Sequence, residues 1–449
     1  MQTIQGYLSK NNYRTLPDST YNHIDEWLEW YRGSVDTFHS YNFYNGISVQ
    51  KATRLSLGMA KRVCEDWANL LLNEKVKIVT NNDSLNQIIE HVMEYNNFKV
   101  RANQLIELIF ALGTGALVEY QDGTGEIAVD YIRADMIYPL AWENGDITEC
   151  AFGSHKSYDG KEYIYLQIHE LDDNGRYVIH NHYIDENSGD ELPLDELGIE
   201  ERIETGSSVP CFQIITPNIV NNIDLDSPMG ISCYGNSIDQ LKSTDLVYDS
   251  YANEFILGKK RITVPMSMAK IEMSGKQGHR PVFDAKDTVF YAIPNSPDGN
   301  NELKEIDMKL RANEHELGLQ KNLDLLSFKC GLGNDRYKFE AGGVKTATEV
   351  ISDKSELFQN LKKHQIPVRS GLVGMIKAIA SLLSISEEKL EVTIDFDDSI
   401  IEDKAAERNQ DRQDLAAGIM SALEYRMKWY NEDEDTARAA LPGQADIME

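Results

Sequence analysis

Gly235–Gly258, GNSIDQLKSTDLVYDSYANEFILG, is the stretch on which the reading of the chain turns. Ile238, Leu241, Tyr248, Ala252 and Phe255 fall on one helical stripe. The pattern predicts a helix, and about 23 residues at ~1.5 Å each make a rod of roughly 35 Å. Asp245 lies on the same stripe, an acid among apolar positions. A second long helix is predicted over Asp307–Lys329, where Leu319, Leu323, Leu326 and Cys330 recur at helical spacing. Between the two, Lys259–Ile306 is rich in glycine and proline and carries short β-like runs at Ile262–Val264 and Thr288–Ala292. It reads as a small α/β insertion between two rods.

Downstream, the glycine-punctuated stretch from Gly331-Leu332-Gly333 to Gly342-Gly343 is too irregular for regular structure. Thr346-x-x-Glu349 is a capping box that opens a third long helix, and Pro367 is expected to break it. Leu372, Met375, Ile376, Ile379 and Leu383 continue as a buried helix. Glu391–Phe396 alternates as a strand, and three helices are expected to follow: Ile401 to about Ala417, Ser421–Tyr430 and Glu432–Leu441.

Upstream, Asp18 is a candidate cap for a helix carrying Ile24, Trp27, Leu28 and Tyr31. Leu55, Met59, Val63, Trp67, Leu70 and Leu71 predict another, then a short strand Val76–Val79 and helices around Ile88–Val92 and Leu105–Ile109. At Gly113-Thr114-Gly115 the period changes from helical to alternating. Turns at Asp122-Gly123, Asn144-Gly145, Asp159-Gly160, Asn174-Gly175 and Ser188-Gly189 then divide an antiparallel meander. Asp185–Glu204, strongly acidic and broken by Pro193, is expected to be a solvated loop.

The chain has 449 residues, 41% of them hydrophobic, enough for a large core in two to four domains or one discontinuous domain. Its formal charge of −29 argues against a freestanding duplex-binding protein, because DNA affinity comes largely from neutralising phosphates. Cys64, Cys150, Cys211, Cys233 and Cys330 are scattered singly, which suggests reduced thiols and neither a disulfide framework nor a zinc site. The polar Met1–Lys10 lacks the apolar core of a signal peptide, and no apolar run is long enough to span a membrane.

The order of elements resembles the portal proteins of tailed bacteriophages, an α+β fold. Four stretches resemble the Gram-positive siphophage branch of that family: Gly113–Tyr120, Tyr131–Leu140, Lys345–Val350 and Ile394–Lys404. The resemblance covers about residues 20–440. It implies a wing over residues 1–234, a stem helix over 235–258, a clip over 259–306 and a second stem helix over 307–330. A tunnel loop over 331–345, a long helix returning to the wing over 346–400 and a crown over 401–449 complete the expectation. It further implies a non-enzymatic homo-oligomer, usually a dodecamer, at one vertex of the capsid, assembled in the host cytoplasm and carried in the virion. Double-stranded DNA would pass through the ring. The terminase large subunit, head-completion or adaptor proteins, and the major capsid and scaffolding proteins would dock on it, with no cofactor, metal or membrane involved.

Candidate site residues follow from charge. Lys259, Lys260, Arg261, Lys270, Lys276 and Arg280 face only Glu272 between Gly258 and Arg280, a local excess of positive charge. They could form a collar for DNA phosphates or an acidic partner, or be ordinary solvated or intersubunit lysines. Arg336, Tyr337 and Lys338 are candidates for a DNA-facing loop tip, with Lys345 and Lys354 on or beside the third helix. The overall acidity suits a wall along which DNA slides without deep binding wells, and equally suits solubility. Two stretches carry enzymatic alternatives. Gly342-Gly-Val-Lys-Thr departs from a phosphate-binding loop because Val344 precedes Lys345. Asp395, Asp397, Asp398, Glu402 and Asp403 could hold two metals as a phage-encoded nuclease or packaging enzyme, or simply mark a strand end and helix start. His155, His169, His180 and His182 form no ligand motif.

Overall fold

The computed structural model describes residues 2–73, 75–186, 188–194, 198–265, 271–273, 279–281, 290–299, 302–334, 336–338, 347–386, 389–396, 404–430 and 432–441. The N-terminal half starts with α1 (Gln2–Lys10), α2 (Asp18–Arg32), α3 (Asp36–His39), a hairpin of β1 (Ser40–Tyr44) and β2 (Val49–Thr53), and α4 (Met59–Leu71). Then come β3 (Lys77–Thr80), α5 (Asp83–Tyr95), α6 (Phe98–Leu112), β4 (Gly115–Gln121) and β5 (Ile127–Arg133). Strands β6 (Ile137–Glu143), β7 (Asp146–Tyr158), β8 (Lys161–Leu171), β9 (Tyr177–Asp185), β10 (Arg202–Glu204) and β11 (Phe212–Ile215) complete this half. Helix α7 (Ile238–Leu257) leads to β12 (Arg261–Pro265), β13 (Ile271–Met273), β14 (His279–Pro281), β15 (Phe290–Ile293) and β16 (Lys304–Ile306), and α8 (Ala312–Lys329) leads back. The chain continues through α9 (Ala347–Leu382), β17 (Val392–Asp395), α10 (Lys404–Ala416), α11 (Ala422–Tyr430) and α12 (Glu434–Ala439). The architecture is α+β, as the sequence indicated.

The alternating region forms two antiparallel sheets, β11-β4-β5 and the meander β10-β9-β8-β7-β6. Asn144-Gly145 and Asp159-Gly160 close their hairpins with positive φ at both residues, the geometry that matches strand twist. The acidic stretch after Asp185 ends in a short strand, β10, which pairs with β9 through Arg202↔His180. Between the sheets, Ala134–Met136 makes a single 3-10 turn. Tyr21 donates to the Ile137 carbonyl at 3.0 Å and stacks on Tyr138, so the Tyr131–Leu140 motif fixes this corner against α2.

Three differences from the sequence reading have local causes. Asp18 is the first helical residue of α2 and Pro17 the cap, so the carboxylate sits in the first turn, where the helix dipole favours it. Helix α1 was not anticipated, because its apolar contribution is small: Ile4 and Leu8, one turn apart and fully buried. The third long helix does not break at Pro367, which lies inside the continuous α9. A proline at 367 leaves the Lys363 carbonyl without its helical donor. Asn218 Nδ2 donates to that carbonyl at 3.0 Å, and the Asn218 N–H donates to His364 Nδ1 at 3.1 Å.

One aromatic hub joins the halves. The Trp67 ring of α4 stacks on Phe110 of α6 at 5.4 Å and meets His364 of α9 edge-on at 4.8 Å. Its Nε1 donates to the Cys330 carbonyl at the end of α8, 3.1 Å away. The Gly113 motif has an equally specific reason. Gly113 has φ +85°, and a Cβ there would lie 2.6 Å from the Gly230 carbonyl oxygen. The α6–β4 corner thereby docks backbone to backbone on the segment that feeds α7, and Thr114 Oγ1 accepts from the Gly230 N–H at 3.0 Å. Strand β17 returns to the N-terminal half by pairing antiparallel with β3.

Candidate channel elements

Helices α7 and α8 pack on one another through a polar ladder. Gln240 Nε2 and Ser243 Oγ donate to Asn322 Oδ1 at 2.7 and 3.0 Å. Further along, Arg311 grips Glu254 with Nε at 3.1 Å and Nη2 at 2.8 Å, and the Arg311 N–H adds a third bond at 3.0 Å. This guanidinium holds the Glu254 carboxyl down to about 2. Few apolar side chains of the pair are buried: Leu241, Leu323 and Leu326. Leu246, Ile256 and Leu257 of α7 and Leu317, Leu325 and Phe328 of α8 are exposed, Leu317 to 66%.

Asp245, the acid on the apolar stripe, is the anchor of α7. Its Oδ1 accepts from the Leu57 N–H at 2.8 Å, while Oδ2 accepts from Ser56 Oγ at 3.0 Å and meets His39 Nε2 at 3.0 Å. The Val35 N–H donates to His39 Nδ1, so Nε2 carries the proton that His39 gives to Asp245. One turn on, Asp249 Oδ1 accepts from the Leu55 N–H at 3.1 Å. Leu55, read as part of a helical stripe, instead lies outside α4 and is exposed. Ser56 bonds the carboxylate rather than the imidazole, so this trio is an anchor and not a nucleophile–base pair.

In the insertion, every regular element among the described residues is a strand; the helical part of the α/β expectation is not seen there. Strand β12 pairs parallel with β15 and antiparallel with β16. That topology brings Glu305 of β16 into an ion pair with Lys260. Arg280 of β14 stands opposite Glu272 of β13 in register. Lys259 is exposed and Arg261 half-buried, whereas Lys270 and Lys276 lie outside the described residues.

The loop after α8 is pinned at its start. The Gly331 and Leu332 N–H groups return to the Phe328 and Ser327 carbonyls, with Gly331 at φ +79°, so the glycine ends the helix. Asn360 Nδ2 of α9 holds the Gly331 carbonyl at 3.0 Å. Arg336 Nη2 reaches Asp66 Oδ1 of α4 at 2.9 Å, sharing it with Arg62. Burial pushes the Tyr337 hydroxyl well up and the ring packs on the core. Arg336 is thus tied to α4, the Tyr337 carbonyl accepts from Gln320 Nε2 of α8 at 3.3 Å, and both Arg336 and Lys338 are exposed. Gly342, Gly343, Val344, Lys345 and Thr346 lie outside the described residues, as does the side chain of Lys354, whose backbone is in α9.

Of the acidic alternative, Asp395 is exposed on β17 opposite Lys77, and the other four acids lie outside the described residues. Among the described residues no three His, Cys, Asp or Glu side chains come together as metal ligands. His155, His180 and His182 each pair with a separate glutamate, and His169 is buried against Phe152 and Phe212. All five cysteines are buried free thiols. No helix among the described residues is long and apolar enough to cross a membrane.

Residues 15–441 match a family model described as "Phage portal protein, SPP1 Gp6-like". The chain belongs to this family. A solved structure described as the neck of an empty GTA particle, computed with C6 symmetry, aligns over 82% of this chain and 87% of that one, at 13% identity and a TM-score of 0.40. No curated protein matches. As a portal-family chain, the protein belongs to a structural rather than a catalytic family. The residues that organise its long helices, Asp245, Asp249, His39, Asn218 and Asp66, were not singled out by motif; the one sequence signal was an acid on the stripe of α7.

Proposed function

We propose that the chain is the subunit of a portal ring, usually of twelve copies, at one vertex of a bacteriophage capsid. The ring is a conduit through which double-stranded DNA is packaged, retained and ejected. The family match over residues 15–441 carries this reading. The α7–α8 pair supports it, because exposed apolar side chains on both helices are what neighbouring copies would bury. In this reading α7 and α8 are the stem, residues 259–306 the clip, residues 331–345 the tunnel loop and α10–α12 the crown. Arg336 tethers the described start of the tunnel loop to α4, and Lys338, Lys345 and Lys354 remain the candidate DNA-facing cations of this segment. The terminase large subunit and later the head-completion proteins dock at the clip. Major capsid and scaffolding proteins contact the wing during assembly in the host cytoplasm. Purified chain imaged by negative-stain electron microscopy, with mass photometry, is expected to give a closed ring with a central hole. A monomer that cleaves DNA with a divalent metal would overturn the proposal.

A further inference from the structure

The β1–β2 hairpin and the segment after β11 are both uncovered, and they match one another. The hairpin's five residue pairs run Ser40↔Thr53 to Tyr44↔Val49, and residues 42–51 are all exposed. Its tip residue Ile47 is 88% exposed, and Tyr44 and Val49 beside it are open as well. A two-stranded hairpin with no third strand needs a surface to lie on. Its base is rigid: Arg54 stacks on Phe38 and Tyr41 and donates to the Phe38 carbonyl, and the Arg54 N–H returns to His39. Ser40–Arg54 contains Lys51 and Arg54 and no acid, in a chain of net charge −29.

A cavity of about 310 Å³ lies where the N-terminal half of α2 meets the segment before α7. Ile24, Trp27 and Ile223 supply its apolar lining, and Ser19, His23, Asn221 and Asp224 are among its polar lining. Val220 and Leu225 stand exposed beside it. Residues 219–226 hold Asp224 and Asp226 and no base. Knob and hole thus carry opposite charge around apolar centres. They also sit at opposite ends of α2, the cavity over Ser19–Trp27 and the hairpin beyond Gly33 and α3, so Ile47 does not reach its own chain's cavity. A head-to-tail ring requires two different, complementary patches on every subunit.

We infer that the occupant of this cavity is a second copy of the chain: the hairpin of one protomer inserts Ile47 into the Ile24–Trp27–Ile223 cavity of its neighbour. Lys51 lies toward the neighbour's Asp224 and Asp226. The contact rests on the ring proposed above and gives it a direction around the circumference. The test uses full-length chain in two variants, Ile47→Cys and Ser19→Cys, assembled together and treated with diamide; the native cysteines are all buried. Disulfide-linked dimers are expected in the mixed rings and in neither variant alone, and Ile47→Asp is expected to raise the concentration needed for ring formation at least tenfold with an unchanged circular dichroism spectrum. Mixed rings without the cross-link would overturn the contact and leave the ring standing. Wild-type chain that stays monomeric at every concentration would overturn both.

Discussion

Glu119 of β4 is fully buried between its sheet and α9, and neither carboxyl oxygen meets a partner in hydrogen-bond geometry. Burial pushes its carboxyl well above the usual carboxylate range, and the Gln213 amide opposes this more weakly. The folded chain therefore holds a proton that the unfolded chain releases above about pH 4.5. Stability from this site is present below that pH and is lost as the pH rises toward the folded value. His169 works in the opposite sense: burial pushes its ring down to about 3, so the folded state refuses a proton that the unfolded chain binds below about pH 6.5. Glu119→Gln is expected to be more stable than wild type by about 1–3 kcal/mol at pH 7.5, with the gain vanishing near pH 4.5. His169→Phe should lose less stability than wild type between pH 6.5 and 4.5. Urea unfolding across this range checks both; a Glu119→Gln gain that does not change with pH would show that the carboxyl is ionised in the fold.

At the scale of elements, α9 shows how a helix survives its own proline. The Lys363 carbonyl freed by Pro367 is held by Asn218, whose backbone also holds His364 against Trp67 and Phe110. Asn218→Ala removes the side-chain donor and keeps the backbone one. It is expected to cost about 1 kcal/mol and to speed amide exchange in the turns around 359–367, while Asn218→Asp, an acceptor facing a carbonyl, costs more. Exchange unchanged in Asn218→Ala would mean that water replaces the amide. The expected break at Pro367 was sound local chemistry, and the satisfying group lies 145 residues away in sequence, where no periodicity points. The same contrast runs through the fold. Trp27 and Ile24 of α2, Val63 and Trp67 of α4, and the turns of the β6–β9 meander are legible because each pattern is local. The β3–β17 pairing joins strands more than 300 residues apart, and the β1–β2 hairpin lacks a buried alternating face, so neither leaves a local trace. Asp245 was visible as an anomaly, but its partners Ser56, Leu57 and His39 were not.

Over the whole molecule, charge is what the sequence states most clearly and locates least well. If the proposed ring has twelve copies at −29 each, they would surround DNA with a wall that offers few phosphate wells, and the basic stretch from Lys259 to Arg280 stands out against it. Counting charges in a sequence window assumes that neighbours in sequence are neighbours in space. Strand pairing violates that assumption here: β16 delivers Glu305 to Lys260 from outside the window. A collar at the base of β12 would therefore be weaker than six cations suggest, and Lys259, exposed at the junction of α7 and β12, would be its foremost charge. If the collar meets DNA phosphates, replacing Lys259, Lys260 and Arg261 together by glutamine lowers the DNA packaged per assembled ring, and Lys259→Gln alone reproduces most of that loss. Lys260→Gln alone gives the smallest effect, because its charge is already spent on Glu305. Each lost phosphate contact should also flatten the salt dependence of DNA association by about 0.9 in log–log slope. Packaging into proheads, measured at several salt concentrations with ring assembly scored in parallel, separates the cases. Intact triple-variant rings that package normally would assign these cations to solvent or to contacts between subunits, and a Lys260→Gln loss as large as that of Lys259→Gln would mean that the Lys260–Glu305 pair opens when DNA arrives.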